Sequence, residues 1–269
     1  NSAINNGIHK PGNYSKNTIS SIKDDLLSLE IESDDVLTAN SSSSYYDFTN
    51  ISYSEDSNTD STLNPNIILI QLESFINPNW ITDITLNKNP VSNFETLSQE
   101  FTSGLISVPV LGGGTANTEF EVITGMSTEF FGAGEFPYNT IASKKAIPSL
   151  AYTLKELGYS ANSLHNHQGK FYSRDVVYKN LGFDCFTPIE CMDIPEPTPV
   201  GWAKDSVLVD EICNILTSTD NADLIFGISV QGHGNYPNDA LENKEISITN
   251  DYNKSNRNSL EYFINQVYE

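Results

Sequence analysis

Apolar positions along the chain fall into short continuous runs separated by stretches with helical spacing. Runs of strand length occupy residues 66–72, 105–110, 159–164 and 223–230. Their enrichment in Ile, Leu and Val predicts strands covered on both faces. Between them, helical patterns cover residues 91–101, the stretch after the glycine loop at 111–114, and then 147–157, 174–181, 204–216 and 256–268. Leu150, Leu154 and Leu157 share one face, and Gly158 follows them as a C-terminal cap. Leu260, Phe263, Ile264 and Val267 recur at i, i+3, i+4 and i+7. This alternation predicts an α/β fold with a mostly parallel central sheet flanked by helices. No strand follows the last helix, so the reading expects the C-terminal part of the sheet to be lacking from this chain.

Residues 1–64 have a different texture. Residues 24–37 carry a short amphipathic helical pattern, but the Ser-, Asn- and Asp-rich stretch after them has no period. It reads as a linker or juxtamembrane segment, partly disordered or helical, ahead of a domain over 65–269. Residues 188–199 read as a proline-rich loop.

Open α/β sheets gather ligands beyond the carboxyl ends of their strands. The polar residues there form a consistent set: Glu73 after the first run, Thr115 in the glycine loop after the second, His165 and His167 after the third, and His233 after the fourth. A glycine-rich turn opening a helix presents free N–H groups and the positive end of a dipole. Glu73 and Thr115 therefore offer a metal ligand and a nucleophile. Each residue also has a plainer reading. Thr118 competes as the helix cap, because Thr118 and Glu121 match a capping box and would leave Thr115 in the loop. The two imidazoles in HNH suit either loop polarity or a local transition-metal site, and Arg174 suits pairing with one of the many carboxylates.

Charge narrows the partners. Against 35 Asp and Glu the 269 residues carry 14 Lys and Arg, a net charge of -21, which opposes binding to nucleic acid or an anionic membrane surface. The longest apolar run falls far short of the roughly 20 residues a membrane helix needs. The first residue is Asn1, with no signal-like segment, so the start reads as a processed or engineered boundary. Cys185, Cys191 and Cys213 lack metal-ligand spacing and read as free, partly buried thiols in preference to a Cys185–Cys191 disulfide.

Four segments carry a family resemblance: LESF after the first run, GGGTANTEFEVITGMS, HNHQGKFYSRDVVYKNLGFD and QGHGNYP. In this order they resemble the extracellular sulfatase-like domain of lipoteichoic acid synthases and related phosphoglycerol transferases, in the alkaline phosphatase superfamily. The resemblance spans roughly residues 64–268. It implies that Glu73 ligates a divalent metal and that Thr115 is both ligand and nucleophile. It further implies that Tyr172 lies beside the substrate, that Arg174 holds its phosphate, and that His165 and His233 contact it. His167 stands where those synthases carry aspartate, which leaves the exact substrate open.

The resemblance also implies an adjacent Asp-His pair completing the metal site beyond Glu269, so this chain is expected to bind metal weakly. Hard oxygen ligands favour manganese, with magnesium or zinc as alternatives. The expected partner is a phosphatidylglycerol-like lipid or glycerophosphate polymer, met on the extracellular face of a bacterial membrane through anchoring helices upstream. Two other readings stand beside this one. One is a sulfatase or phosphoethanolamine-transferase-like enzyme, the other a non-catalytic cell-surface binding module.

Overall fold

In a computed structural model, which describes residues 64–193, 196–252 and 254–269, the apolar runs build a single sheet whose strands all point the same way. The linker and the short helical pattern at 24–37 lie outside the described residues. Strands β1 (Ile67–Gln71), β2 (Ser160–His165), β3 (Cys185–Pro188) and β4 (Asp223–Ile228) are ordered β1-β4-β2-β3. Every neighbouring pair is parallel. The helices are α1 (Ser92–Glu100), α2 (Thr115–Thr124), α3 (Leu150–Glu156), α4 (Arg174–Asn180), α5 (Ser206–Ser218) and α6 (Arg257–Tyr268).

Central strand β4 is buried along its whole length and divides the core by its pleat. Leu224, Phe226 and Ile228 face a cluster built from Phe120 and Ile123 of α2, Ala151 and Leu154 of α3, and Val177 and Tyr178 of α4. Ile225 turns the other way and packs with Leu164, Met192 and the α5 residues Val207 and Leu208. Both faces of the sheet are thus covered, as a parallel sheet requires. Phe263 and Ile264 of α6 close a third cluster against Ile246.

Several expectations change. Residues 105–110 form no strand, and Leu105 and Ile106 stay 87% and 80% exposed. Pro109 lacks a ladder donor, and Ser107 interrupts the run. The fourth strand is instead β3, in the stretch between the helical pattern at 174–181 and the proline-rich loop, which it meets at Pro188. Pro188 ends it at an outer edge, where a missing N–H is tolerated. β1 is the opposite edge and not a fully buried strand, since Ile68 and Ile70 remain 42% and 43% exposed. The cysteines are free as expected, but all three are exposed. Helix α3 starts after the expected position because Pro148 disfavours helical geometry at Ile147. Ser149 caps it by accepting from the Tyr152 N–H.

The division of the core at β4 sets a stability expectation. Phe226→Ala, which empties a ring 1% exposed in the larger cluster, should cost about 3–5 kcal/mol in urea unfolding. Val209→Ala on the outer face of α5, 60% exposed, should stay within about 0.5 kcal/mol.

Candidate active site

Because the strands are parallel, their carboxyl ends open on one edge, and the polar residues singled out in the sequence converge there. β1 ends at Gln71, and the chain turns through Glu73 and Ser74, where Ser74 takes φ +59. The Glu73 N–H donates to Ser229 Oγ (2.9 Å) and the Ser229 N–H to the Gln71 carbonyl (3.0 Å). The loop after β4 thereby fixes the loop after β1.

Helix α2 supplies the second residue. It begins at Thr115, with Gly114 at the N-cap in left-handed geometry (φ 84) and no side-chain cap. The capping box is not formed, because Glu121 accepts instead from the Thr128 N–H and hydroxyl. Gly114 has a second reason to lack a side chain, since a Cβ there would meet the Phe136 ring at 3.0 Å. The Thr115 hydroxyl, at the positive end of the helix, donates to Glu73 Oε1 at 2.7 Å. Burial pushes the Glu73 carboxyl above the usual carboxylate range, although the Thr115 hydrogen bond opposes the shift.

Glu73, Thr115, Thr118 and His233 line one cavity of ≈ 1060 Å³. His233 Nδ1 is buried there without a hydrogen-bond partner. Its ring meets Trp202 edge-on at 4.7 Å, and Trp202 lies 5.5 Å from His167, which lies 5.6 Å from His165. His165 Nδ1 bonds the Ile228 carbonyl at 2.8 Å, which identifies Nδ1 as the protonated nitrogen. Burial lowers the His165 pKa to about 4, with Arg174 acting in the same sense. Burial also lowers that of His167. Tyr172, at φ 55, stacks on Phe136 at 5.4 Å, so the glycine loop and Tyr172 share one ring.

Arg174 stands apart from this cavity. It is 1% exposed, with Nε on Glu119 Oε2 (3.0 Å), Nη2 on Glu119 Oε1 (2.5 Å) and Nη1 on the Phe171 carbonyl (3.3 Å). Of the two sequence readings, the carboxylate pairing is the one present in the structure. Sequence reasoning missed Glu119, although its spacing of four from Thr115 puts both on one face of α2. It also missed Trp202, which sits between the proline-rich loop and α5 with no periodic signal.

Whether these residues suit a divalent ion turns on donor chemistry. Glu73 and Thr115 bring two hard oxygens together at 2.7 Å, which fits part of such a shell. No set of three or more His, Cys, Asp or Glu side chains placed for a metal occurs among the described residues.

Comparison with known proteins follows the same lines. The family model described as Sulfatase matches residues 65–269. A Rhizobium meliloti (strain 1021) protein, provisionally described as a cyclic beta-1,2-glucan modification protein, is 31% identical over 205 residues, covering 76% of this chain and 31% of its own length. Two solved structures share the fold. The Streptococcus pyogenes phosphoglycerol transferase GacH in complex with sn-glycerol-1-phosphate gives a TM-score of 0.68 at 19% identity, covering 97% of this chain and 63% of that one. The lipoteichoic acid synthase LtaP from Listeria monocytogenes gives 0.62 at 24% identity, covering 76% and 49%. The chain therefore spans about a third of the curated relative and about half to two-thirds of the solved ones.

His165 gives the site a pH signature. Its folded pKa lies below the unfolded value, so the stability it contributes is full above pH 6.5 and is lost as pH falls toward 4. A loss of about 3 kcal/mol across that window is expected in urea titrations. It should be absent in His165→Asn, which keeps a donor for the Ile228 carbonyl. Glu119, held below its usual range chiefly by Arg174 against its burial, adds its own loss only at lower pH.

Proposed function

The chain belongs to the sulfatase family, and from that premise we propose that it carries the nucleophile of a phosphoglycerol-type transferase or hydrolase of the alkaline phosphatase superfamily. The observation that carries the reading is the Thr115 hydroxyl, at the first turn of a helix and 2.7 Å from a desolvated carboxylate, on the wall of a large cavity. A threonine hydroxyl is a weak nucleophile at neutral pH and needs a base, a cation or a positive helix end.

Glu73 Oε1 already accepts the Thr115 hydrogen, and its raised pKa suits it to take that proton. Thr115 Oγ1 then attacks phosphorus. A P–O bond forms, the P–O bond to the lipid or alcohol breaks, the departing oxygen takes the proton from Glu73, and the phosphoryl group rests on Thr115. A second alcohol, or water, reverses the exchange and returns the proton to Thr115. His233, which lines the same cavity, holds the entering or leaving oxygen. Tyr172 and Phe136 wall the head group, while His165 and His167, both neutral at pH 7 in this setting, contribute hydrogen bonds without added charge.

Glu73 and Thr115 would hold a divalent ion, manganese by preference with magnesium or zinc as alternatives. Such an ion would supply Lewis acidity that lowers the hydroxyl pKa and offsets phosphoryl charge. The substrate class is a phosphatidylglycerol-like lipid or glycerophosphate polymer outside the cell, in keeping with the ligand and activity in the names of the two solved relatives. No helix among the described residues is long and apolar enough to cross a membrane. In this reading, the substrate is presented by anchoring elsewhere in the protein.

In the full-length protein, Thr115→Ala should lower turnover of a fluorescent phosphatidylglycerol by roughly a thousandfold or more. Thr118→Ala, on the same wall but without the carboxylate contact, should stay within a few fold. Loss with Thr118→Ala and retention with Thr115→Ala would reassign the nucleophile. Chelation should abolish turnover, and added Mn2+ should restore it.

A further inference from the structure

Glu119 and Arg174 are both buried to within 1%, and every other ion pair among the described residues has a partner at least 30% exposed. Tyr178 adds a hydroxyl donated to Glu119 Oε2 at 2.8 Å. A pair so placed is weak evidence for stability, because desolvation offsets most of the attraction and apolar replacements of similar volume are often neutral. Its location carries more information. Glu119 follows Thr115 by one helical turn on the same face, and Arg174 opens α4 directly after the turn that carries Tyr172.

The geometry also limits what Arg174 can offer. The Nε and Nη2 fork is taken by Glu119, and Nη1 rests on the Phe171 carbonyl at 3.3 Å, the longest of the three contacts. The cover over that edge is the Phe171–Ser173 turn, in which Tyr172 and Ser173 both take positive φ and the Tyr172 ring lies 5.4 Å from the guanidinium.

We infer that Glu119 is a positioning residue: it takes Nε and one N–H of Nη2, fixes the Arg174 guanidinium behind the Thr115 helix, and leaves an N–H on Nη1 and the outer N–H of Nη2 to meet an anionic phosphoryl oxygen. The role rests on the reading of Thr115 as phosphoryl acceptor.

Inorganic phosphate titrated calorimetrically into the full-length protein tests this, with melting temperature measured on the same samples. The double variant E119M/R174M should melt close to the parent and bind phosphate roughly ten- to hundredfold more weakly, the usual scale for loss of a supporting partner. E119Q, which keeps Arg174 but loosens it, should also bind more weakly. Parent-like affinity in the double variant makes the pair structural and overturns the inference. A weak double variant beside a parent-like E119Q shows that Arg174 acts without Glu119, which also overturns it. Failure of both variants to fold, with a parent that binds phosphate, assigns the pair to stability and does the same. A parent that binds no phosphate and keeps its turnover in Thr115→Ala instead fails the underlying reading of Thr115, and both fall together.

Discussion

The candidate site depends on the parallel ladder between β1 and β4. Parallel pairing brings the carboxyl ends of all four strands to one edge, so a polar residue one or two positions beyond each strand lands in a common crevice. The pairing continues past the regular strands through the Ser229 N–H on Gln71 and the Glu73 N–H on Ser229 Oγ. A slip of one residue in this register would turn Glu73 to the opposite face, since side chains alternate along a strand. The 2.7 Å contact with Thr115 would then be lost. The order of the sheet and the chemistry of the crevice are therefore one constraint.

For the proposed reaction, electrostatics would favour a cation in the crevice of a chain of net charge -21. Two unit charges about 4 Å apart interact by about 4 kcal/mol at an effective dielectric constant of 20. A phosphodiester approaching an ionised Glu73 meets a penalty of that order. Arg174 opposes it, but Glu119 cancels most of its charge at a distance; the two act on Glu73 in opposite senses. On the proposed reading, what remains of Arg174 is directional, and bulk neutralisation would fall to a cation at the two oxygens. This division of labour favours the metal-assisted reading over one in which arginine alone carries the phosphate.

Much of this was legible in the sequence because each signal was local. β2, β4, α4 and α6 follow from uninterrupted apolar runs or clear 3.6-residue spacing, and Glu73, Thr115 and His233 follow from their places after such runs. The failures have physical causes. The run at 105–110 is apolar but carries Pro109, and composition outweighed the missing donor. β3 is short and bounded by Pro188, so only pairing with β2 reveals it. The capping box at Thr118 fits the pattern, yet Gly114 can take left-handed geometry and starts the helix at Thr115. Glu119 and Trp202 act through partners 55 and 32 residues away, Arg174 and the Gly234 carbonyl, and no local pattern encodes such contacts.

Backbone strain distinguishes this crevice from an ordinary solvated sheet edge. Five non-glycine residues among those described take positive φ, and four of them, Ser74, Tyr172, Ser173 and Asn235, lie within two residues of Glu73, Arg174 or His233. Each such conformation costs on the order of 1 kcal/mol or more. Together they remove several kcal/mol from a net stability that for most domains is only about 5–15 kcal/mol. The buried Glu119–Arg174 pair adds little to offset this. Turns serving only to connect strands and helices would relieve the strain with glycine, as this chain does at Gly158 after α3 and Gly182 after α4. Retaining it beside the carboxylate, the buried cation and the cavity histidine indicates that side-chain placement at this edge, rather than stability of the fold, determines the local backbone.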